Sequence, residues 1–267
     1  SNPEVIMWKK YDVGLGIYHW CSQFLPFGAG DTGVSKSLFD DYLCTDGKPV
    51  SVSPLFMGYD SIQAESKNRD PRLSQSMLLP GHDVTVNSPG GTLDRKFVKP
   101  ALDQSQQFRA TTGYCMNKGA NLEYSQQLSS GGTMACIFFR YTEALLIYAE
   151  ARAELGTLTQ ADIDKTINKI RDRVGMVHLN ISSITADPDW DFPSLSPLIN
   201  EIRRERRIEM AFEAQRWDDL ARWRAHSVFA GKRPKGIKYI GSNLEGTYKD
   251  AQGKPTIVVG QNLYVDS

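Results

Sequence analysis

The chain has 267 residues, 40% of them hydrophobic and 23% charged, ordinary proportions for a globular protein. Thirty-one Lys and Arg balance thirty-one Asp and Glu, so no basic excess exists to hold a polyanion, which argues against nucleic acid as a partner. No run reaches the ~20 apolar residues that a membrane-spanning helix requires.

Glu4 to Tyr11 reads as a short strand. Tyr11, Tyr18, Trp20, Phe24 and Phe27 then crowd into one irregular stretch with His19 and Gln23. In a loop, exposed rings offer the flat apolar face on which a sugar packs, with nearby amides and carboxylates reading its hydroxyls. Tyr18, Trp20, Phe24 and Phe27, with Gln23 and Asp31 as hydroxyl partners, are therefore the candidate ligand-binding residues. The alternative for any one ring is ordinary loop packing. Gly28-Ala-Gly30-Asp-Thr-Gly33 matches GxGxxG only formally, because no strand–helix alternation surrounds it, and it reads as a flexible loop. It leads into a short helix from Ser35 to Leu43.

Pro26, Pro49, Pro54, Pro71, Pro80, Pro89 and Pro100 punctuate long loops, which in a compact domain serve a function or wrap around something else. Ser129-Ser130-Gly131-Gly132 reads as a mobile linker.

The pattern changes at Arg140. Tyr141, Ala144, Leu145, Tyr148 and Leu155 recur at helical spacing, with Gly156 as C-cap. Thr159 and Asp162 form a capping box for a second helix. Its apolar stripe is Ile163, Ile167, Ile170 and Val174, and Gly175 ends it. The pair predicts an antiparallel hairpin of tetratricopeptide size, with no second copy at a fixed period. A third helix opens at Ser196 with Pro197 in its first position, runs through Ile202, Ile208 and Phe212, and continues or restarts through Trp217, Leu220 and Trp223 to about His226.

That third helix stacks Glu201, Glu205, Glu209 and Glu213 along one face. Arg204, Arg206 and Arg216 lie three positions from Glu201, Glu209 and Glu213 and predict pairs within the helix. Glu205 has no such neighbour and must reach another element, with Arg140, Arg171 or Arg173 as partners. A carboxylate-bridged metal pair would want Glu-x-x-His, which is missing. Cys21, Cys44, Cys115 and Cys136 show no zinc spacing, and one disulfide is allowed. No metal, cofactor or catalytic residue is predicted; a glycosidase needs two facing carboxylates, and nothing singles out such a pair.

Several segments together carry a resemblance: Asn2-Pro3-Glu4-Val5-Ile6, Leu38-Phe39-Asp40-Asp41-Tyr42 before Asp46-Gly47-Lys48-Pro49, Arg69-Asp70-Pro71-Arg72-Leu73, Thr112-Gly113-Tyr114 with Lys118, Arg140 through Ala151, Ile167 through Arg173, and Ile202 through Trp223. In order and spacing these resemble the SusD/RagB family of outer-membrane nutrient-binding lipoproteins, specifically its C-terminal half. Position 214 is Ala where the family commonly has Gly, which predicts a softer helix break. The family's closing Pro-x-Pro and Gln-Asn-Pro-Gly-Tyr elements are absent, and so is its N-terminal half with the lipidated cysteine. This implies a fragment truncated at both ends or one chain of a nicked protein, of marginal stability alone.

The resemblance implies a mainly α fold: a tetratricopeptide-like scaffold with long loops and a few short strands. It divides the chain into a loop-rich ligand-facing region (1–139), a helical scaffold (140–230) and an irregular tail (231–267), together part of one larger domain. It implies a non-enzymatic receptor at the outer membrane, facing outward, that captures oligosaccharides for a SusC-like TonB-dependent transporter. Its membrane attachment would be a lipid anchor outside this chain. A peptide-binding member and a helical protein-interaction adaptor are the alternatives; the glycan and any bound calcium stay open.

Overall fold

A computed structural model describes residues 2–25, 33–105, 108–258 and 264–265. In chain order the described elements are β1 (Val5–Lys9), α1 (Cys21–Phe24), α2 (Lys36–Asp41), α3 (Ile62–Ser66), α4 (Pro71–Ser76), β2 (Asp83–Thr85), β3 (Arg95–Lys96), α5 (Tyr124–Gln127), β4 (Cys136–Arg140), α6 (Tyr141–Glu154), α7 (Gln160–Lys165), α8 (Ile167–Asp172), α9 (Pro197–Glu209) and α10 (Arg216–Arg222). The mainly helical scaffold with long loops and few strands is as predicted. β1 pairs antiparallel with β4 (Val5 opposite Arg140, Lys9 opposite Cys136), and β2 with β3. No described helix is long and apolar enough to cross a membrane.

Side-chain caps open five of the ten described α-helices. Ser35 Oγ accepts from Leu38 N at 3.4 Å to open α2, and Asp70 caps α4 with Pro71 in its first turn. The capping box forms, Thr159 Oγ1 accepting from Asp162 N at 3.2 Å and Asp162 Oδ2 from Thr159 N at 3.0 Å. The single helix expected from there to Val174 is broken at Thr166 into α7 and α8. The Thr166 hydroxyl donates to Asp162 O at 2.7 Å, while its own N–H bonds Ile163 O. This back-bonding takes the carbonyl that would continue the ladder.

Ser196 caps α9, accepting from Ile199 N at 3.3 Å. The helix does not continue; it restarts as α10 after Phe212 (φ 66°) and Ala214 (φ 60°) enter the left-handed region. The softer break expected from Ala214 is not observed. Glu209 O accepts from Arg140 Nη2 and Lys118 Nζ, both at 2.9 Å, and these cations hold the end of α9 open.

Two apolar cores flank α9. One gathers Phe39, Tyr42, Leu73, Tyr114, Ile208, Ile237, Tyr248 and Val265, so all three stretches of the chain share it. The other packs α6 against α7, α8 and α9 through Leu146, Ala149, Ile163, Ile167, Ile170 and Met210. Each buried Leu, Ile, Val, Phe or Met among them contributes roughly 1.5–3 kcal/mol.

The four carboxylates of α9 and its exit lie at this junction, and Glu205, Glu209 and Glu213 are neutralised from other elements. Arg72 Nη1 contacts Glu205 at 2.6 Å and Glu209 at 3.0 Å, and Arg171 Nε contacts Glu205 at 2.9 Å. Arg171 was among the expected partners of Glu205; Arg72 was not. Arg140 and Arg173 instead hold Glu209, each at 2.8 Å. The intrahelical pair Glu201–Arg204 forms at 3.2 Å. Those expected for Glu209 and Glu213 do not: Arg206 turns to Asp219 at 2.8 Å, Arg216 to Asp191 at 3.0 Å, and Glu213 pairs with Lys118 and Arg140. The helix break explains both, since it brings α10 back beside Arg206 and carries Glu213 off the face where Arg216 could follow.

Candidate functional site

The aromatic stretch is a held platform. The Asp12 side chain accepts from Gly14 N at 3.0 Å, Gly16 takes φ 70°, and the Asp12 and Ile17 backbones bond in both directions. His19 N donates to Gly132 O at 3.0 Å. Its Nδ1 accepts from Cys21 N at 3.2 Å, so Nε2 carries the hydrogen and donates to Met134 O at 2.9 Å. The ring also meets Tyr11 edge-on at 4.8 Å. Three residues on, Ser22 is fully buried and its Oγ accepts from Asn121 N at 3.0 Å.

With His19 and Ser22 anchored inward, the residues between them face out. Trp20 is 52% exposed and Tyr18 39%. Phe24, half-buried on α1, meets the Trp20 ring at 6.2 Å and 61°, and Gln23 beside it is also half-buried. Tyr18, Trp20, Gln23 and Phe24 thus share one short segment; Phe27 and Asp31 lie outside the described residues, as do Gly28 and Gly30. Leu25, Gly33 and Val34, at the two ends of that segment, line a cavity of about 170 Å³ with Tyr114, Cys115, Met116 and Phe212. A smaller cavity of about 20 Å³ beside Trp190, Arg203 and Arg207 has room for about one water and not for a ligand.

Gly33, Gly131 and Gly132 serve packing. A Cβ on Gly132 would lie 2.3 Å from His19 O, so that backbone approach requires glycine. The linker reading of Ser129–Gly132 is therefore corrected: the segment is a closed turn, Gly131 N bonding Leu128 O at 2.9 Å, that holds the aromatic platform from behind. Gly33 presses on Thr112 in the same way, its virtual Cβ 2.2 Å from Oγ1.

Other features lay outside the sequence reading. The ribbon of β1 and β4 exposes Ile6, Met7, Trp8, Ile137, Phe138 and Phe139; the apolar run just before Arg140 was its signal. Trp217, read with the apolar stripe of α10, is 69% exposed and meets Phe229 at 5.7 Å. Trp223 instead stacks under Arg203 at 4.4 Å and donates Nε1–H to Glu150 at 2.5 Å. All four cysteines are free thiols, Cys44 and Cys115 buried. Among the described residues no group of three or more His, Cys, Asp or Glu is arranged to hold a metal.

Among the described residues burial raises the carboxyls of Asp41, Glu201 and Glu65, and pushes that of Glu65 up to about 7, with the Tyr114 hydroxyl and nearby cations opposing. Glu65 is fully buried, out of reach of any substrate. Glu209 is the reverse. Burial raises it, but Arg72, Arg140 and Arg173 prevail and hold it down to about 2, a fixed charge and not a proton donor.

The helical scaffold with long loops and few short strands is of the tetratricopeptide-like class. A sequence model of the SusD family matches residues 3–264, and the chain belongs to the SusD family. SusD-like protein P2 of Formosa agariphila is 35% identical over 104 residues, covering 37% of this chain and 18% of that protein. The crystal structure of a SusD-like protein of Bacteroides fragilis is similar with a TM-score of 0.64 and 25% identity, over 90% of this chain and 47% of that one. A SusD-like carbohydrate-binding protein of the same species matches with a TM-score of 0.61 and 22% identity, over 98% of this chain and 52% of that one. The chain thus spans about half the length of these solved relatives and less of the curated one.

Proposed function

We propose that this chain belongs to a cell-surface receptor that captures oligosaccharides at the Tyr18–Phe24 segment and hands them to a SusC-like TonB-dependent transporter in the outer membrane. Membrane attachment is by a lipid anchor outside residues 1–267. In this reading region 1–139 faces the ligand and 140–230 is the scaffold. The observation that carries it is Trp20: a large ring half in solvent on a segment pinned at His19 and Ser22, so that little ordering entropy opposes stacking. Gln23 supplies amide donors and acceptors beside it, and Phe27 and Asp31 complete the set. A carbohydrate-binding relative of the same fold supports the choice of ligand.

The receptor binds without cleaving. Its best-placed carboxyl for acid chemistry, Glu65, is sealed in the core, and the α9 carboxylates are held as ion pairs. A second reading, capture of an extended peptide, is favoured by the two-stranded ribbon of β1 and β4, on whose outer edges no strand pairs among the described residues. A glycan panel tests the first: one polysaccharide class should bind, and Trp20→Ala should weaken it about tenfold. Glycan silence with peptide-dependent protection of the β1 amides from exchange would transfer the function to the ribbon.

A further inference from the structure

We propose that the cavity between the end of α1 and the break after α9 is a binding site for a compact apolar ligand, a single aromatic ring. Its volume is about 170 Å³, and Leu25 and Val34 face Tyr114, Cys115, Met116 and Phe212 across it. These side chains are apolar or sulfur-bearing apart from the Tyr114 hydroxyl, which is committed elsewhere, donating to Glu65 at 2.6 Å. The backbone of the wall is committed too. Tyr114 O accepts from Val34 N at 3.0 Å, and Cys115 O from Leu78 N at 2.9 Å. Burial pushes the Cys115 thiol up to about 12, so it stays uncharged.

A water in a cavity needs about two to four polar partners, whereas an apolar cavity of about 150 Å³ stays dry and takes up benzene. The wall here is of the second kind, and the volume is similar. Its chemistry favours a ring over an alkyl chain. Met116 and Cys115 bring sulfur, which packs well against ring edges, and Tyr114 and Phe212 bring aromatic partners for edge-to-face contact. Much of the wall is fixed in advance. Tyr114 stacks on Phe39 at 4.3 Å and 22°, so little ordering entropy opposes binding. Phe212 is the exception: held at φ 66°, an outlying conformation for a bulky residue, it stays 36% exposed. Strain of this kind gathers at ligand clamps, and a ring in the cavity gives Phe212 a packing partner. This inference stands on the cavity and not on the glycan reading.

The test uses benzene as the probe and the full chain carrying carbon-13 in its methionine methyl groups. Seven methionines report, and the Met116 signal is assigned by its loss in Met116→Leu. Benzene should bind with millimolar affinity or better and shift the Met116 methyl by its ring current, while Met7 and Met176, outside the cavity, stay in place. Leu25→Trp, which fills the cavity, should weaken binding at least about tenfold. Leu25→Phe, a smaller filling, serves if the Trp variant has lost the parent's cooperative melt. A Met116 signal that stays still in benzene-saturated buffer would overturn the proposal. So would equal movement of all seven signals, or a folded filling variant that binds benzene as the parent does.

Discussion

Glu65 sits fully buried at the end of α3, its Oε2 accepting the Tyr114 hydroxyl at 2.6 Å. Burial raises its carboxyl to about 7. Below pH 4.5 folded and unfolded chains both carry the proton. As pH rises through 7 the folded chain must give it up inside the core, and stability falls, by at most about 3 kcal/mol. Glu65→Gln keeps an acceptor for Tyr114 and removes the charge. Urea unfolding should find the variant about 1–3 kcal/mol more stable at pH 8 and near parity at pH 4.5; an equal difference at both pH values would refute the assignment. Residues of this kind were opaque in the sequence. Glu65 resembles any helix glutamate, and nothing local reveals that Tyr114, forty-nine residues on, closes over it.

At the scale of elements, caps were legible because their partners lie three residues apart: Thr159 with Asp162 and Ser196 act as read, while the Ser35 cap of α2 follows the same spacing but was not singled out. The Thr166 break was missed because it depends on a hydroxyl preferring a carbonyl one turn back. The α9–α10 break was foreseen in place but not in strength. Ala214 holds a left-handed conformation that costs an L residue roughly 1–2 kcal/mol. Ala214→Gly should therefore raise stability by about 0.5–1 kcal/mol, read as a shift in urea midpoint at constant m. A loss of stability would mean that the Ala214 methyl contributes packing that outweighs its strain. The sugar platform was half legible. The crowding of rings was visible, but whether Trp20 or His19 faces outward depends on Gly132 and Met134, more than a hundred residues away.

Across the whole molecule, the family signatures around Arg69, Arg72 and α9 form joints. Arg69 donates to the carbonyls of Phe39, Tyr42 and Glu65, each at 2.7 Å, while Arg72 reaches Glu205 and Glu209. Segments separated by 133 residues in sequence are thereby locked at one buried charge junction. Breaking such a pair strands a buried charge, so Glu209→Gln should cost about 3–5 kcal/mol at pH 7. Because the folded carboxyl is held down to about 2, its contribution is present above pH 4.5 and lost as pH falls through 2. Parent and variant should therefore converge in acid. A gap that persists at pH 2 would show that Glu209 acts by shape and not by charge.

The central claim is that the pinned Tyr18–Phe24 segment, and not some other exposed ring, holds the glycan. Trp217 is the natural control, being more exposed than Trp20 and remote from it in sequence. The direct measurement is calorimetric titration of the panel's best oligosaccharide into the parent, Trp20→Ala and Trp217→Ala. The account predicts a loss of about tenfold for Trp20→Ala and parental affinity for Trp217→Ala. The reverse order would place the site on α10 and contradict it.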